Sequence, residues 1–183
     1  MQLARFAARA VIGGLFFGHG TQKLMGWFGG PGLEGTDKMM DALQMHPPRR
    51  NALAAGVTEA GGGVLLATGL ATPLAAASLT GVMVTAIRKV HAPKGVWNSN
   101  GGYEYNAVLI AAVATVAEAG PGKLSLDHAL GIERKGTRWA LGALAVGVAS
   151  SFVTTELGRR AAERHTVEQA KPETPSDGPQ TAS

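Results

Sequence analysis

Apolar residues run along this chain in long stretches separated by short polar segments. Residues 60–87 contain no charge at all, a run longer than the roughly 20 residues a helix needs to cross a hydrocarbon core. Gly69 and Pro73 divide that run, because Thr68-Gly-Leu-Ala-Thr-Pro reads as a tight turn with proline opening the next helix. The pattern predicts a helical hairpin over about residues 51–70 and 73–90. Residues 3–24 form another candidate span, with Arg5 and Arg9 near its start and His19 and Lys23 near its end. Residues 105–117 make a shorter span bounded by Glu104 and Glu118, and residues 139–155 form a fifth apolar run. Two arginines ahead of an apolar stretch also describe a secretory signal peptide, but no small-x-small cleavage site follows, and His19 and Lys23 interrupt where one belongs. From Arg159 onward the chain is rich in Pro, Glu, Thr and Ser with balanced charge, which predicts a disordered polar tail over residues 159–183.

Composition agrees with this pattern. Only 16% of the 183 residues are charged, against about 25% in ordinary soluble domains. The chain-wide mean hydropathy is close to zero, but it averages the tail and two charged loops with everything else. Twenty-six glycines, many alanines and 5% aromatics suit closely packed helices. Cysteine is absent, which removes disulfides, thiolate metal ligands and any thiol redox relay. The net charge of +4 does not read as a nucleic-acid surface, because the cations sit in short clusters that flank apolar stretches: Arg49-Arg50, Arg88-Lys89, Arg134-Lys135 and Arg159-Arg160. The lipid bilayer is the expected partner. Gly14 and Gly18 in the first span, and Gly56, Ala60 and Gly61-Gly62-Gly63 in the second, place small residues at helical spacing where backbones approach closely.

Four segments, in order, carry a resemblance: GLFFGHGTQKLMGWF closing the first span, TEAGGGVLLATGLATPLAA through the hairpin, HAPKGVWNSNGGYEYN entering the fourth span, and GPGKLSLD leaving it. Together they resemble the DoxX family of small integral membrane proteins over roughly residues 3–130. The resemblance implies an all-α, polytopic transmembrane bundle with a four-helix core over residues 1–130. To this the apolar pattern adds a connecting segment and a fifth C-terminal helix over residues 131–158. The resemblance further implies a membrane-associated component of an oxidoreductase system, and in some archaeal members a subunit of a thiosulfate–quinone oxidoreductase.

Glu59 is the sharpest single feature, since an ionised side chain inside a span costs at least about 2.5–3.5 kcal/mol on insertion scales and demands a proton or a partner. His19, Lys23 and Arg9 are the cations available to it, and depth favours His19 or Lys23, which are four apart and share one helix face. Their structural alternatives are a snorkelling lysine, an interhelical histidine hydrogen bond, and a carboxylate that fixes helix register. Glu104, Tyr105 and Asn106 open the fourth span on the same side of the membrane, beside His91, Lys94, Trp97 and Asn98. They read either as part of an interfacial aromatic belt or as a polar mouth over an apolar bundle. His19, Lys23, Glu59, Glu104, Tyr105 and Asn106 are therefore the candidate ligand-binding set. Ser125 and Asp127 are expected to cap a short following helix. No close His-x-x-His or Glu-x-x-His spacing is present, so no metal site is expected. Haem ligation by His19 and His91 is a minority reading.

These readings lead to a multi-pass plasma-membrane protein that binds a quinone-like or lipid-like molecule, with no redox cofactor of its own and a soluble oxidoreductase as candidate partner. The alternatives are a membrane scaffold for soluble redox proteins, or a transporter of a small molecule or proton with Glu59 as relay. Orientation turns on the fifth segment. If it spans, Lys and Arg divide eleven to six in favour of the side bearing the first loop, with the N-terminus outside; if it does not, the division is ten to seven and reverses.

Overall fold

The structure, a computed structural model, describes residues 2–169. Among these residues every regular element is helical, as the sequence predicts. The elements are α1 (Gln2–Met25), α2 (Gly32–Ala42), α3 (Pro48–Thr68), α4 (Thr72–Ala86), α5 (Glu104–Ala119), α6 (Leu126–Ala129) and α7 (Thr137–Gln169). Each of the five predicted apolar segments is one of the longer helices. By length and apolarity alone, only one described helix, the Thr137–Val167 part of α7, is suited to cross a membrane. The regular parts of α4 and α5 are 15 and 16 residues long, about 22–24 Å at 1.5 Å per residue, while glycines and single polar residues dilute α1 and α3.

The hairpin forms as its turn residues dictate. Pro48 opens α3 at a position where its missing N–H costs nothing. Gly69 closes the helix in the left-handed region at φ 66°, donating to the Leu66 carbonyl while Leu70 donates to Leu65. α4 begins at once and ends in a wider π turn over Ile87–His91. α1 packs antiparallel on α3, α3 on α4, and α4 on both α5 and α7. The apolar core lies where α4 meets these neighbours, around Phe16, Leu66, Leu79, Leu109, Val113 and Ala143.

Glycine contacts set the closest approaches. A Cβ at Gly13 would overlap the Gly63 carbonyl, and one at Gly20 would overlap Gly56 and Ala60. The α3 half of the predicted small-residue seam is thus found, but its α1 half is not: Gly14 and Gly18 face open space. Gly81 and Gly147 similarly bring α4 and α7 together, and Thr85 and Arg88 then meet Ser151 and Thr155 in the same register. α7 therefore runs parallel to α4 along its length and ends beside the first loop.

Two features depart from expectation. The first loop contains α2, held to α1 by the buried Thr36 hydroxyl, which donates to the carbonyls of Lys23 (3.1 Å) and Gly32 (2.7 Å). Residues 159–169, expected within the disordered tail, continue α7, supported by Arg159 and Arg160 pairing with Glu156 one turn back. The rest of the predicted tail, residues 170–183, lies outside the described residues.

Candidate functional site

Two buried charges pin the end of the bundle where α1 begins. Arg9, fully buried, donates to the carbonyls of Leu66 (3.4 Å), Ala67 (3.1 Å) and Leu124, which satisfies acceptors left over at the C-terminus of α3. Asp127, also buried, accepts from the backbone N–H groups of Ala71 (2.7 Å) and Thr72 (3.0 Å) and from the Thr72 hydroxyl (2.8 Å). Ser125 alone caps α6, accepting from the His128 N–H at 3.2 Å. Asp127 instead caps α4, whose preceding residue, Ala71, has no side chain able to do so. Both charges hold the fold together, and Arg9 is no partner for Glu59 because it binds the last turn of α3 while Glu59 pairs with Lys23.

The chemistry gathers at the opposite end. Leu24 packs against Gly56, so the first turns of α3 lie past the end of α1, beside α2. At that level Lys23 meets Glu59 with Nζ to Oε2 at 2.5 Å; the Glu59 side chain is 5% exposed and that of Lys23 20%. α3 and α7 pack on α4 on either side of it, and the space between them is a cavity of about 410 Å³. Lys23, Thr58 and Glu59 line it together with Ser78 and Thr85 of α4, Lys89 and His91 of the π turn, and Ser150, Ser151 and Thr154 of α7. Met39 and Met40 of α2, with Leu43 and Met45 after it, contribute an apolar cover. The cover is tied to α7 where the His46 N–H donates to the Gly158 carbonyl at 3.3 Å.

The cavity's polar groups are largely engaged with the protein. Ser78 donates to the Ala75 carbonyl and Ser150 to that of Gly147, so both present lone pairs to the cavity. His91 Nδ1 lies 2.7 Å from the Gly101 carbonyl, which can only accept, so Nδ1 carries the proton. A volume of several hundred Å³, apolar walls and a few convergent polar groups suit a small amphipathic molecule.

The six predicted site residues do not converge. Lys23 and Glu59 are brought together. His19, one turn before Lys23 on α1, is exposed and does not line the cavity, its Nδ1 3.1 Å from Gln22 Oε1. Glu104 and Tyr105 are exposed, and Glu104 accepts from the Asn98 N–H at 3.0 Å within its own loop. Asn106 is buried away from the cavity, donating to Met83 Sδ at 3.3 Å. Lys89 and the α7 hydroxyls, which sequence reasoning passed over, line the cavity instead. Among the described residues no cluster of three His, Asp or Glu is placed to hold a metal ion.

The DoxX family model matches residues 4–92. That stretch is a DoxX domain. The match takes in α1 through α4 and the π turn, and with them Lys23, Glu59, Lys89 and His91; α5, α6 and α7 lie beyond it. It also ends short of residues 93–130, which carry part of the resemblance seen in the sequence. No curated protein and no solved structure matches this chain. The DoxX domain and the apolar α7 make this a membrane-associated protein.

Proposed function

We propose that this DoxX-family protein spans the plasma membrane as a five-helix bundle and binds an amphipathic small molecule, quinone-like or lipid-like, in the cavity between α3 and α7. The distribution of side chains supports the membrane part of this reading. Large apolar residues point outward from each long helix: Leu15 on α1, Val57 on α3, Leu74 on α4, Val108 on α5 and Phe152 on α7. Inside lie Arg9, Glu59, Thr80, Asn106 and Ser151. In water such an arrangement is inverted; in lipid it is the one in which outward surface costs nothing and polar groups find one another.

The observation that carries the binding reading is the Lys23–Glu59 pair forming part of the cavity wall. A charge pair is retained in an apolar bundle at a desolvation cost that closely packed hydrophobic residues would avoid. Placed against an open volume, it marks a wall where polarity is retained beside apolar surface, as a site for an amphipathic molecule requires. Any redox step requires a centre outside this chain, and a partner subunit of a membrane oxidoreductase system is the natural source. The test is purification in mild detergent and mass spectrometry of the small molecules retained. Wild-type protein and His19→Ala are expected to retain the same amphipathic molecule, and Ala55→Trp, which fills the cavity, to lose it while eluting as the same species. Equal retention by Ala55→Trp removes the cavity as the site.

A further inference from the structure

The charges around the cavity do not balance, and the imbalance identifies the ligand's head. Apart from the exposed Glu34 on α2, which does not line the cavity, the described carboxylates near this end of the bundle have partners. Glu59 pairs with Lys23 at 2.5 Å, Asp37 with Arg49 at 3.0 Å and Asp41 with His46 at 3.1 Å. Glu156 is held by Arg159 and Arg160, and Glu104 by the Asn98 backbone. Lys89 is half-buried in the cavity wall, and among the described residues no carboxylate lies within ion-pairing distance of it. Arg88, next to it, is turned toward α7, where it donates to Thr155 at 2.7 Å and stacks 3.7 Å from the Phe152 ring centroid. The cavity thus contains a neutralised pair and one uncompensated ammonium, beside apolar surface from Ala54, Val82, Ala86 and Val90.

We infer that the cavity selects amphiphiles with a small anionic head, a carboxylate or a phosphate monoester on an apolar chain, over neutral ones such as a quinone, with Lys89 as the residue that receives the head. This deepens the binding reading proposed above and rests on it. An ammonium in the wall of a largely apolar volume gains more from an anion than from a neutral head, since hydrogen bonds to charged groups are roughly twice as strong as neutral ones. The Lys23–Glu59 pair has the opposite influence: Glu59 repels the head while its own cation is occupied. Neutralising Glu59 frees Lys23 and makes the cavity more attractive to an anion, whereas a ligand held by the pair's dipole would be weakened by the same change.

The experiment uses the full chain in phosphatidylcholine nanodiscs, with radiolabelled dodecyl phosphate as probe and dodecanoate, dodecanol, a decyl-quinone and inorganic phosphate as competitors. Dodecyl phosphate and dodecanoate are expected to bind about tenfold more tightly than dodecanol or the quinone, as about 1.4 kcal/mol of charge-assisted bonding gives. Lys89→Met is expected to remove that preference, Lys89→Arg to keep it, and Glu59→Gln to strengthen dodecyl phosphate binding. Competition by inorganic phosphate alone at the same concentration would reassign the site to a free anion and overturn the inference. Equal competition by dodecanol or the quinone, or a preference that survives Lys89→Met, overturns the choice of ligand and leaves the cavity reading standing. Failure of every amphiphile to bind wild-type protein overturns the cavity reading itself.

Discussion

At Arg9 a guanidinium inside an apolar helix serves backbone alone, bonding the carbonyls of Leu66 and Ala67 at the end of α3 and of Leu124 in the loop before α6. Arg9→Met removes the side-chain donor to the Ala67 and Leu124 carbonyls, while Leu66 keeps the Gly69 N–H, and loss of bonds to a charged group is expected to lower stability by about 3 kcal/mol. Chemical unfolding followed by circular dichroism in detergent measures this, and an unchanged transition would mean the carbonyls find other partners. The Lys23–Glu59 pair was legible in the sequence because a carboxylate inside an apolar run needs a cation at matching depth, and few were available. Asp127 was legible only as a polar residue beside a short helix. That it caps α4 depends on the loop after α5 folding back over Gly69 and Ala71, a contact between residues about 56 apart that no local pattern records. The exposed positions of His19, Glu104 and Tyr105 were hidden for the same reason: spacing places residues on a helix, while packing decides which face is turned inward.

Helix seams carry the next level of organisation. α1 meets α3 through Gly13 and Gly20, and a side chain at either position has nowhere to go. Gly13→Val and Gly20→Val are each expected to destabilise the protein by about 1–3 kcal/mol through overpacking. Gly14→Val and Gly18→Val, on the open face, are expected to change stability by less than about 0.5 kcal/mol. Thermal unfolding of the four variants in one detergent decides it, and equal losses at all four positions would refute the seam. The presence of small residues in the first span was visible in the sequence, but four glycines on one helix do not say which pair faces the neighbour. α2 was missed because its polar face and short length give no span-like signal. The extension of α7 past Gly158 was missed because its Pro-, Glu- and Thr-rich continuation dominated the composition, while the Glu156–Arg160 spacing that supports a helix is local.

Taken whole, the bundle settles how its ends are charged. With α7 parallel to α4, Arg159, Arg160 and Arg164 join Lys23, Lys38, Arg49, Arg50, Arg88, Lys89 and Lys94 at the first-loop end, ten cations against six at the other. On the proposed five-span reading, the positive-inside rule predicts the cavity's end toward the cytoplasm and the N-terminus outside. Because the chain has no cysteine, single substitutions report this cleanly. In intact cells Lys123→Cys is expected to react with a membrane-impermeant maleimide, and Lys38→Cys and Asn98→Cys only after permeabilisation. The reverse pattern overturns the orientation, and different behaviour at residues 38 and 98 overturns the threading of the bundle. The pairing of α4 with α7 also bears on how such a chain is made. Thr80, Thr85 and Arg88 find their neighbours on a helix whose residues leave the ribosome dozens of residues later. Until α7 is made, α4 therefore carries a polar stripe without its partners, and a chain cut short before Thr137 keeps that stripe unpaired, so α7 completes the packing of α4.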